Sequence, residues 1–506
     1  MKIYSICQMR AAEKFAVEHG IDEFTLMKNA GTAAAEFLSK NLEINGKKLL
    51  VLCGKGNNGG DGFITAKALS DKCSVSVVLC DGTPATETAS RAFSQLCGAN
   101  VRILDSADNI FRETEASDVI IDAIFGIGFK GEPSEKFKKI FSAVNLSAAK
   151  KIAFDLPSGC SGAGLAAKEG CIRADVTLAF GALKPAHILL PAKEFCGRCE
   201  VIDIGVPADF SPSAPNISLT TDELVFSVLK KRPRDCHKGT FGKLLNISGC
   251  MNYLGAPVLS SSAAMRCGCG IVTLAAPRSI IPIVMPSCVG AVALPLDETA
   301  SGAISHTSLD TILSALEGSS ACLIGCGLSL SKDTKSLVKN ILRNINIPVI
   351  IDADGINAIS ENINILKECA APKIITPHLS EMSRLTKTTV EKIKSDRIAA
   401  ASALAENTGS IVVLKDSSTV IASPTGEVYV NTTGNPALAK GGSGDVLAGI
   451  IAGLAAQKIA PLDAAVCGVY LQGSAADKAA ARLSEYAALP ADLPQELCSI
   501  FSERAL

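Results

Sequence analysis

Short apolar runs alternate with mixed stretches along the first part of the chain. Leu49–Cys53, Val75–Cys80, Val119–Ile124, Ile152–Asp155, Val176–Phe180 and Val201–Ile204 read as strands of the kind buried in a parallel sheet. Between them, Phe63–Ser70 and Thr86–Leu96 carry helix-forming composition, so the region up to about residue 208 is predicted to be a doubly wound α/β sheet. Ligands of such sheets sit at the carboxyl ends of the strands. The segment Phe210-Ser-Pro-Ser-Ala-Pro-Asn216 then breaks the pattern, and Lys230-Lys-Arg-Pro-Arg-Asp235 adds a charged stretch, which puts a domain boundary near residue 215. The domains are expected at 1–212 and 222–506.

The second half starts again with a strand at Lys243–Ser248, a small-residue helix through Ala264 and a strand at Ile271–Ala275. Further strands are predicted at Ala321–Ile324, Val349–Asp352, Ile374–Thr376 and Ile411–Leu414, with a hairpin of Thr419–Ala422 and Glu427–Val430 around Pro424-Thr-Gly426. This half is again α/β, and no internal repeat links it to the first.

Composition narrows the function classes. A length of 506 residues calls for more than one core. With 49 basic and 50 acidic residues the formal charge is -1, and no basic stripe offers a footprint for nucleic acid or an anionic membrane. The opening stretch mixes Lys2, Arg10, Glu13, Lys14 and Glu18 among its apolar positions and no window is apolar enough to span a bilayer, so a cytoplasmic location is expected. The 19 cysteines, odd in number and irregularly spaced, read as reduced and mostly buried thiols. Cys196-Gly-Arg-Cys199 and Cys267-Gly-Cys269 have zinc-like spacing, but no set of four partners accompanies them and no zinc is expected.

Two glycine-rich loops carry candidate chemistry. Gly54-Lys-Gly-Asn-Asn-Gly-Gly-Asp-Gly62 and Gly441-Gly-Ser-Gly-Asp445 each follow strand-like sequence and lead into a helix-like run, so their N–H groups can converge on an anion at the positive helix end. Two nucleotide-sized pockets are implied. A carboxylate such as Asp445 beside phosphate-binding amides is repelled by phosphate unless it has work, such as taking a proton from a substrate hydroxyl. In isolation it serves equally as an ordinary N-cap. Gly325-Cys-Gly327, Asp352-Ala-Asp-Gly-Ile-Asn357 and Pro377-His-Leu-Ser-Glu381 gather polar groups and flexible turns at other strand ends. His378 and Glu381 alone would be a helix cap and a solvated first-turn acid, and Asp122 and Asp155 alone would be strand-end acids capping loops.

Taken together, Lys238-Gly-Thr-Phe-Gly242, Gly255-Ala-Pro257, Asp352 to Asn357, Thr376-Pro-His-Leu-Ser-Glu381, Lys415 with Thr419, and Gly434-Asn-Pro through Asp445 resemble the ribokinase-like ADP-dependent NAD(P)H-hydrate dehydratase family, from about residue 225 to beyond 470. The resemblance implies a ribokinase-like α/β domain in which Lys415, Ser418, Thr419, Asn435, Gly441, Gly442, Ser443 and Gly444 bind the nucleotide. Gly325, Gly327, His378, Ser380, Glu381 and Asp445 would face the hydrated nicotinamide, with Asp445 catalytic. One departure is Leu-Ser-Glu after His378 where the family more often has Pro-Gly-Glu; Ser380 suits such a turn unless φ is positive.

In the first half, Gln8-Met-Arg-Ala-Ala12, Asn57-Asn-Gly-Gly-Asp-Gly62, Asp122-Ala-Ile-Phe-Gly-Ile-Gly128 and Asp155-Leu-Pro-Ser-Gly159 resemble the Rossmann-like NAD(P)H-hydrate epimerase domain. This implies substrate contacts from Asn57, Asn58, Gly59, Gly60, Asp61, Gly126, Ile127, Gly128 and Asp155. It also implies a potassium ion on Asn58, Asp122 and Ser158, with Asp155 as acid/base. Together the halves are similar to the bifunctional NAD(P)H-hydrate repair enzymes. The expected activity is repair of hydrated NADH and NADPH (NADHX and NADPHX): epimerisation of the R and S hydrates, then dehydration of the S form with ADP and Mg2+, giving AMP and phosphate. Self-association is expected from the same resemblance. The alternatives are a ribokinase-like small-molecule kinase with a regulatory nucleotide-binding domain, and a nucleotide-sensing scaffold.

Overall fold

In the computed structural model, which describes residues 2–167, 170–213 and 215–506, the chain forms two compact units, Met1–Ala214 and Pro215–Leu506. Each has its own sheet and core.

The sheet of the first unit has seven strands: β1 (Lys48–Cys53), β2 (Ser74–Leu79), β3 (Val101–Leu104), β4 (Val119–Ala123), β5 (Lys150–Phe154), β6 (Val176–Phe180) and β7 (Arg198–Ile202). They pair in parallel in the order β3-β2-β1-β4-β5-β6-β7. Every residue of β4 and β6 is buried, as expected for strands with helices on both faces. One face packs Leu49, Val51, Phe63, Ile121 and Phe154 into a core, and the other packs Leu50, Leu52, Ile120, Ile140 and Phe141. The doubly wound expectation agrees with this sheet. Its edges were harder to read: β3 is a four-residue strand of half-exposed positions, and β7 begins at polar Arg198, three residues before the predicted run.

The helix predicted from Phe63 starts six residues earlier, at Asn57. Glycines 59, 60 and 62 hide its first turns because glycine is a poor helix former. Packing explains them: a Cβ on Gly59 would stand 2.0 Å from Gly54 O, one on Gly60 2.5 Å from the Met27 side chain, and one on Gly62 2.9 Å from Ala123 Cβ.

The second unit contains β8 (Asn216–Leu219), β9 (Lys243–Ile247), β10 (Ile271–Pro277), β11 (Val292–Leu296), β12 (Ala321–Ile324), β13 (Val349–Ile351), β14 (Lys373–Ile375), β15 (Ile411–Leu414), β16 (Thr419–Ala422) and β17 (Glu427–Asn431). Their order is β8-β17-β16-β15-β14-β13-β12-β9-β10-β11. All pairs are parallel except those that β16 makes with β15 and β17, so the predicted hairpin is present. Sequence reading missed β8 and β11; β11 contains Pro295, and proline is tolerated only where a strand leaves its N–H unpaired.

The helix Ser443–Ala456 runs through the core, buried almost throughout, against the helix Gly255–Arg266. Small residues allow the approach: a Cβ on Gly449 would stand 2.2 Å from Ser260 O, and one on Gly453 2.8 Å from the Ala264 backbone. Among the described residues no helix is long and apolar enough to cross a membrane.

Candidate active sites

In the first unit the strand order reverses between β1 and β4, and a crevice opens where their carboxyl ends diverge. It holds a cavity of about 790 Å³ lined by Asn57, Asn58, Asp61, Gly126, Ile127, Gly128 and Asp155, all named from sequence, together with Glu13, Lys55 and Lys184. Gly59 and Gly60 are not part of its lining; both are buried in the first turn of the helix that starts at Asn57. That helix has Gly56 as its N-cap and no side chain closing its amino end, which leaves its first amides to a ligand. Asn57 Oδ1 is taken up by the hydroxyls of Thr86 and Thr88 at 2.7 and 2.9 Å.

Asp155 follows β5 with φ at 61°, a left-handed backbone that costs a non-glycine residue about 1–3 kcal/mol. Three contacts hold it there. Lys184 Nζ lies 2.5 Å from Oδ1, the Ile127 amide donates to Oδ2 at 3.1 Å, and His187 Nε2 is 2.7 Å from the carbonyl oxygen. Because His187 Nδ1 accepts from the Lys184 amide at 2.8 Å, the proton belongs on Nε2, which donates to Asp155 O. Burial, then the Lys184 charge, hold the His187 imidazole down at about 4, so it is neutral at pH 7.

Lys184 is 1 % exposed, and its ammonium also donates to Phe180 O at 2.6 Å. Acids crowd around it. Burial, then the Asp155 carboxylate, push Asp61 well above the usual carboxylate range and raise Glu13. Sequence reading missed Glu13, Lys184 and His187. Lys184-Pro-Ala-His187, a cation and an imidazole soon after strand β6, is a signal that could have been used; Glu13 lies on the helix Ile6–Glu18, outside the βα pattern.

Beside the cavity, Asp122 is 1 % exposed and accepts from the Ser158 amide at 2.7 Å, the Ser158 hydroxyl at 2.6 Å and the Ile124 amide at 3.2 Å. Burial pushes its carboxyl up to about 6. Asn58 Nδ2 is buried without a hydrogen-bond partner.

In the second unit β12, β13, β14 and β15 deliver their carboxyl ends to one edge. Asp352 follows β13 and is the focus: Lys415 Nζ is 2.8 Å from Oδ1, Thr376 Oγ1 donates to Oδ1 at 2.6 Å, and Cys326 Sγ is 3.8 Å from Oδ2. Burial alone would depress the Lys415 ammonium, but the Asp352 and Glu381 carboxylates outweigh it and hold its pKa above the ordinary value.

Asp445 is the third residue of its helix, whose N-cap is Gly442 at φ 100°. It is therefore a first-turn acid favoured by the helix dipole and not an N-cap. Burial, then the Asp352 charge, push its carboxyl up to about 6, and the Cys326 thiol is hydrogen-bonded to it. Ligand atoms of Cys326, Asp352 and Asp445 all lie within 4.8 Å of one another.

His378 caps the helix Leu379–Thr386: its Nδ1 accepts from the Ser380 and Glu381 amides, and Glu381 Oε2 accepts from the His378 amide at 2.8 Å. Glu381 is 3 % exposed, and burial pushes it up to about 7, so it is not the solvated acid that the motif alone suggested. Ser380 sits inside the helix and has no positive φ, so the turn needs no glycine there.

The glycine loop abuts this cluster. A Cβ on Gly444 would stand 3.4 Å from Lys415 Nζ and 3.7 Å from Asp352 Oδ2, and the Ser443 hydroxyl is buried without a partner. The other residues assigned to the nucleotide are engaged elsewhere: Asn435 Nδ2 donates to Asp477 Oδ1 at 2.9 Å, Thr419 Oγ1 to Asp416 O at 3.3 Å, and Ser418 is buried. Cys326 and Asp477 were not singled out from sequence.

Gly325 turns the chain out of β12 at φ 136°, where a Cβ would stand 1.8 Å from Asp352 O. Gly325→Ala is expected to destabilise this unit by about 3 kcal/mol or more. The check is a lowered urea midpoint beside Gly318→Ala, whose added Cβ meets nothing closer than 4.0 Å. Equal midpoints would remove the packing role given to Gly325.

The family described as NAD(P)H-hydrate dehydratase matches residues 244–499, and the family described as YjeF-related protein N-terminus matches residues 23–186. A bifunctional NAD(P)H-hydrate repair enzyme of Moorella thermoacetica is 35% identical over 504 residues, covering 97% of this chain and 95% of the relative. One from Escherichia coli is 32% identical, covering 94% and 88%. Among solved structures, the ADP/ATP-dependent NAD(P)H-hydrate dehydratase of Bacillus subtilis, co-crystallised with ATP and Mg2+, has a TM-score of 0.50 at 30% identity, covering 57% of this chain and 99% of that one. A ribokinase-like superfamily protein from Enterococcus faecalis has a TM-score of 0.50 at 28% identity, covering 57% and 96%.

Proposed function

We infer the activity from membership: the chain belongs to the bifunctional NAD(P)H-hydrate repair enzymes, and it unites an NAD(P)H-hydrate epimerase with a ribokinase-like NAD(P)H-hydrate dehydratase. The epimerase is assigned to residues 1–212 and the dehydratase to 222–506. Their substrates are hydrated NADH and NADPH, in which carbon 6 of the nicotinamide ring bears a hydroxyl. A location in the cytoplasm and self-association belong to the same reading.

Hydroxide leaves carbon 6 poorly, so dehydration needs its oxygen made into a better leaving group. Asp445 takes the hydroxyl proton while the oxygen receives the terminal phosphoryl of ADP, releasing AMP; the ring nitrogen then pushes electrons in, the C–O bond breaks and phosphate departs, and loss of a proton from carbon 5 restores the ring double bond. The observation that carries this reading is Asp445 itself, a half-buried acid beside an open glycine-started helix end. The unpartnered Ser443 hydroxyl and the nearby Lys415 ammonium suit a phosphate there. Gly441 to Gly444 hold the phosphates through main-chain amides, and Gly325, Gly327, His378, Ser380 and Glu381 shape the nicotinamide side. Lys415 serves two partners, neutralising Asp352 and facing the loop; Ser418, Thr419 and Asn435 frame the nucleotide from outside the cluster.

Mg2+ would supply charge neutralisation on the transferring phosphate. Cys326 sulfur is a poor ligand for this ion, so the Asp352 carboxylate and the phosphates themselves are the groups suited to hold it, leaving Asp445 free as the base.

In the first unit Asp155 is assigned as the acid/base at carbon 6, held in place by its ion pair with Lys184, with Asp61 and Glu13 driven toward their proton-carrying forms. Lys184 and His187 act through Asp155 as positioning residues. Potassium fits Asn58, Asp122 and Ser158, an oxygen-rich set in which a buried carboxylate is matched only by neutral donors. It would tie β4 and the loop after β5 to the start of the helix at Asn57.

The test is turnover: hydrated NADH with ADP should regain the absorbance of the reduced coenzyme and yield AMP and phosphate. A phosphorylated product that persists would overturn the reading in favour of a kinase. A pH dependence follows from Asp445. As a base it must be ionised, so kcat/KM for dehydration should fall about tenfold per pH unit below about 6 and level off above it. Asp352 raises the Asp445 pKa, while Lys415 lowers it and Asp354 raises it more weakly. Asp352→Asn should therefore move the inflection to lower pH; an unchanged inflection would remove Asp445 as the titrating group.

A further inference from the structure

The pair Cys196 and Cys199 has no part in either reaction, yet its surroundings are organised. The short helix Lys193–Cys196 ends at Gly197, φ 57°, where a Cβ would stand 2.4 Å from Asp175 O. This tight turn returns the chain so that Cys199, the second residue of β7, follows three positions after Cys196, with its sulfur beside Lys193 Nζ.

The two sulfurs are unequal. Cys196 is fully buried, and its thiol sits within hydrogen-bond range of Ala192 O at 3.3 Å and Ala186 O at 3.6 Å. Cys199 is only half-buried on the last strand of its sheet, with Lys193 Nζ 3.8 Å from its sulfur. The neighbouring Cys196 thiol, helped by the Lys193 charge, pulls the Cys199 thiol down to about 7. One partly exposed, activated sulfur ahead of a buried partner is the arrangement thiol–disulfide exchange requires.

A structural zinc does not fit. It needs four ligands, and among the described residues no cysteine group around this pair brings three or more metal-binding atoms within 4.8 Å of one another.

We propose that Cys196 and Cys199 form a thiol–disulfide exchange site whose substrate is a low-molecular-weight disulfide. Cys199 thiolate attacks one sulfur of that disulfide, the S–S bond breaks, and one small thiolate leaves. Cys196 then attacks Cys199 Sγ in the mixed disulfide and displaces the second small thiolate. Two electrons and two protons pass from the protein dithiol to the small disulfide, leaving a Cys196–Cys199 disulfide and two small thiols. Oxidation removes the thiol proton facing Ala186 O, in the turn Pro185–His187 that carries His187. The proposal does not depend on either catalytic assignment.

The full-length chain, reduced and then exposed to glutathione disulfide at pH 7, tests it by mass spectrometry. Trypsin cuts after Lys193 and Arg198, so the bridge would appear as two peptides joined through sulfur. Cys199 should react about threefold to tenfold faster than the exposed Cys7, Cys97 and Cys236, because the Lys193 ammonium 3.8 Å from its sulfur favours the attacking thiolate. Cys196→Ser should trap the glutathione adduct on Cys199, and Cys199→Ser should form neither adduct nor bridge. Adducts on Cys7, Cys97 and Cys236 with residues 196 and 199 still reduced would overturn the proposal, whatever the coenzyme assays give.

Discussion

Asp445→Asn is expected to lower ADP-dependent dehydration by about 10³-fold while leaving epimerisation at its normal rate. Asn keeps the shape and can still bond to Cys326, but it cannot take the hydroxyl proton. Loss of fold is not the cause anticipated. Asp445 is pushed up to about 6 by burial and by Asp352, so in the folded chain its ionisation is disfavoured relative to the unfolded one. A group with a raised folded pKa weakens the fold once pH exceeds its unfolded value, which for a carboxylate is already so at pH 7. The variant should therefore melt no lower than the parent at neutral pH. If the D445N variant still turned over the S hydrate at more than a tenth of the parent rate, the assignment would sink.

The second large effect lies in the other unit. Asp155→Asn should abolish epimerisation, by at least about 10²-fold, and should also destabilise this unit by about 3–5 kcal/mol, because the Lys184 ammonium would be left buried without its counter-charge. The two consequences separate in the double variant Asp155→Asn with Lys184→Met, which removes the orphaned charge. It should recover most of the stability and none of the epimerase activity. With a mixture of R and S hydrates, the double variant would consume the S form quickly and the R form only at the spontaneous rate of interconversion. Rapid consumption of both forms would show that Asp155 is not the acid/base.

The signals that worked in sequence were local. Buried parallel strands leave apolar runs, so β1, β4, β6, β12 and β15 could be placed within a residue or two. The helix start at Asn57 could not, because Gly59, Gly60 and Gly62 answer to contacts with Gly54, Met27 and Ala123 that no local pattern encodes. The same holds for β11, a short strand that contains proline, and for the single-residue shifts at most strand ends. Glu381 was misread for a related reason: its burial depends on neighbours such as Lys415, far along the chain.

What the sequence determined by itself was the α/β character of both halves and the motifs at their strand ends, since periodicity and glycine spacing are short-range properties. Only the tertiary structure decided which charges meet. Lys184 reaches Asp155 across 29 positions and Lys415 reaches Asp352 across 63, and these pairings set how each acid site is charged. Electrostatic energy depends on distance and burial in space, and neither is a function of separation along the chain.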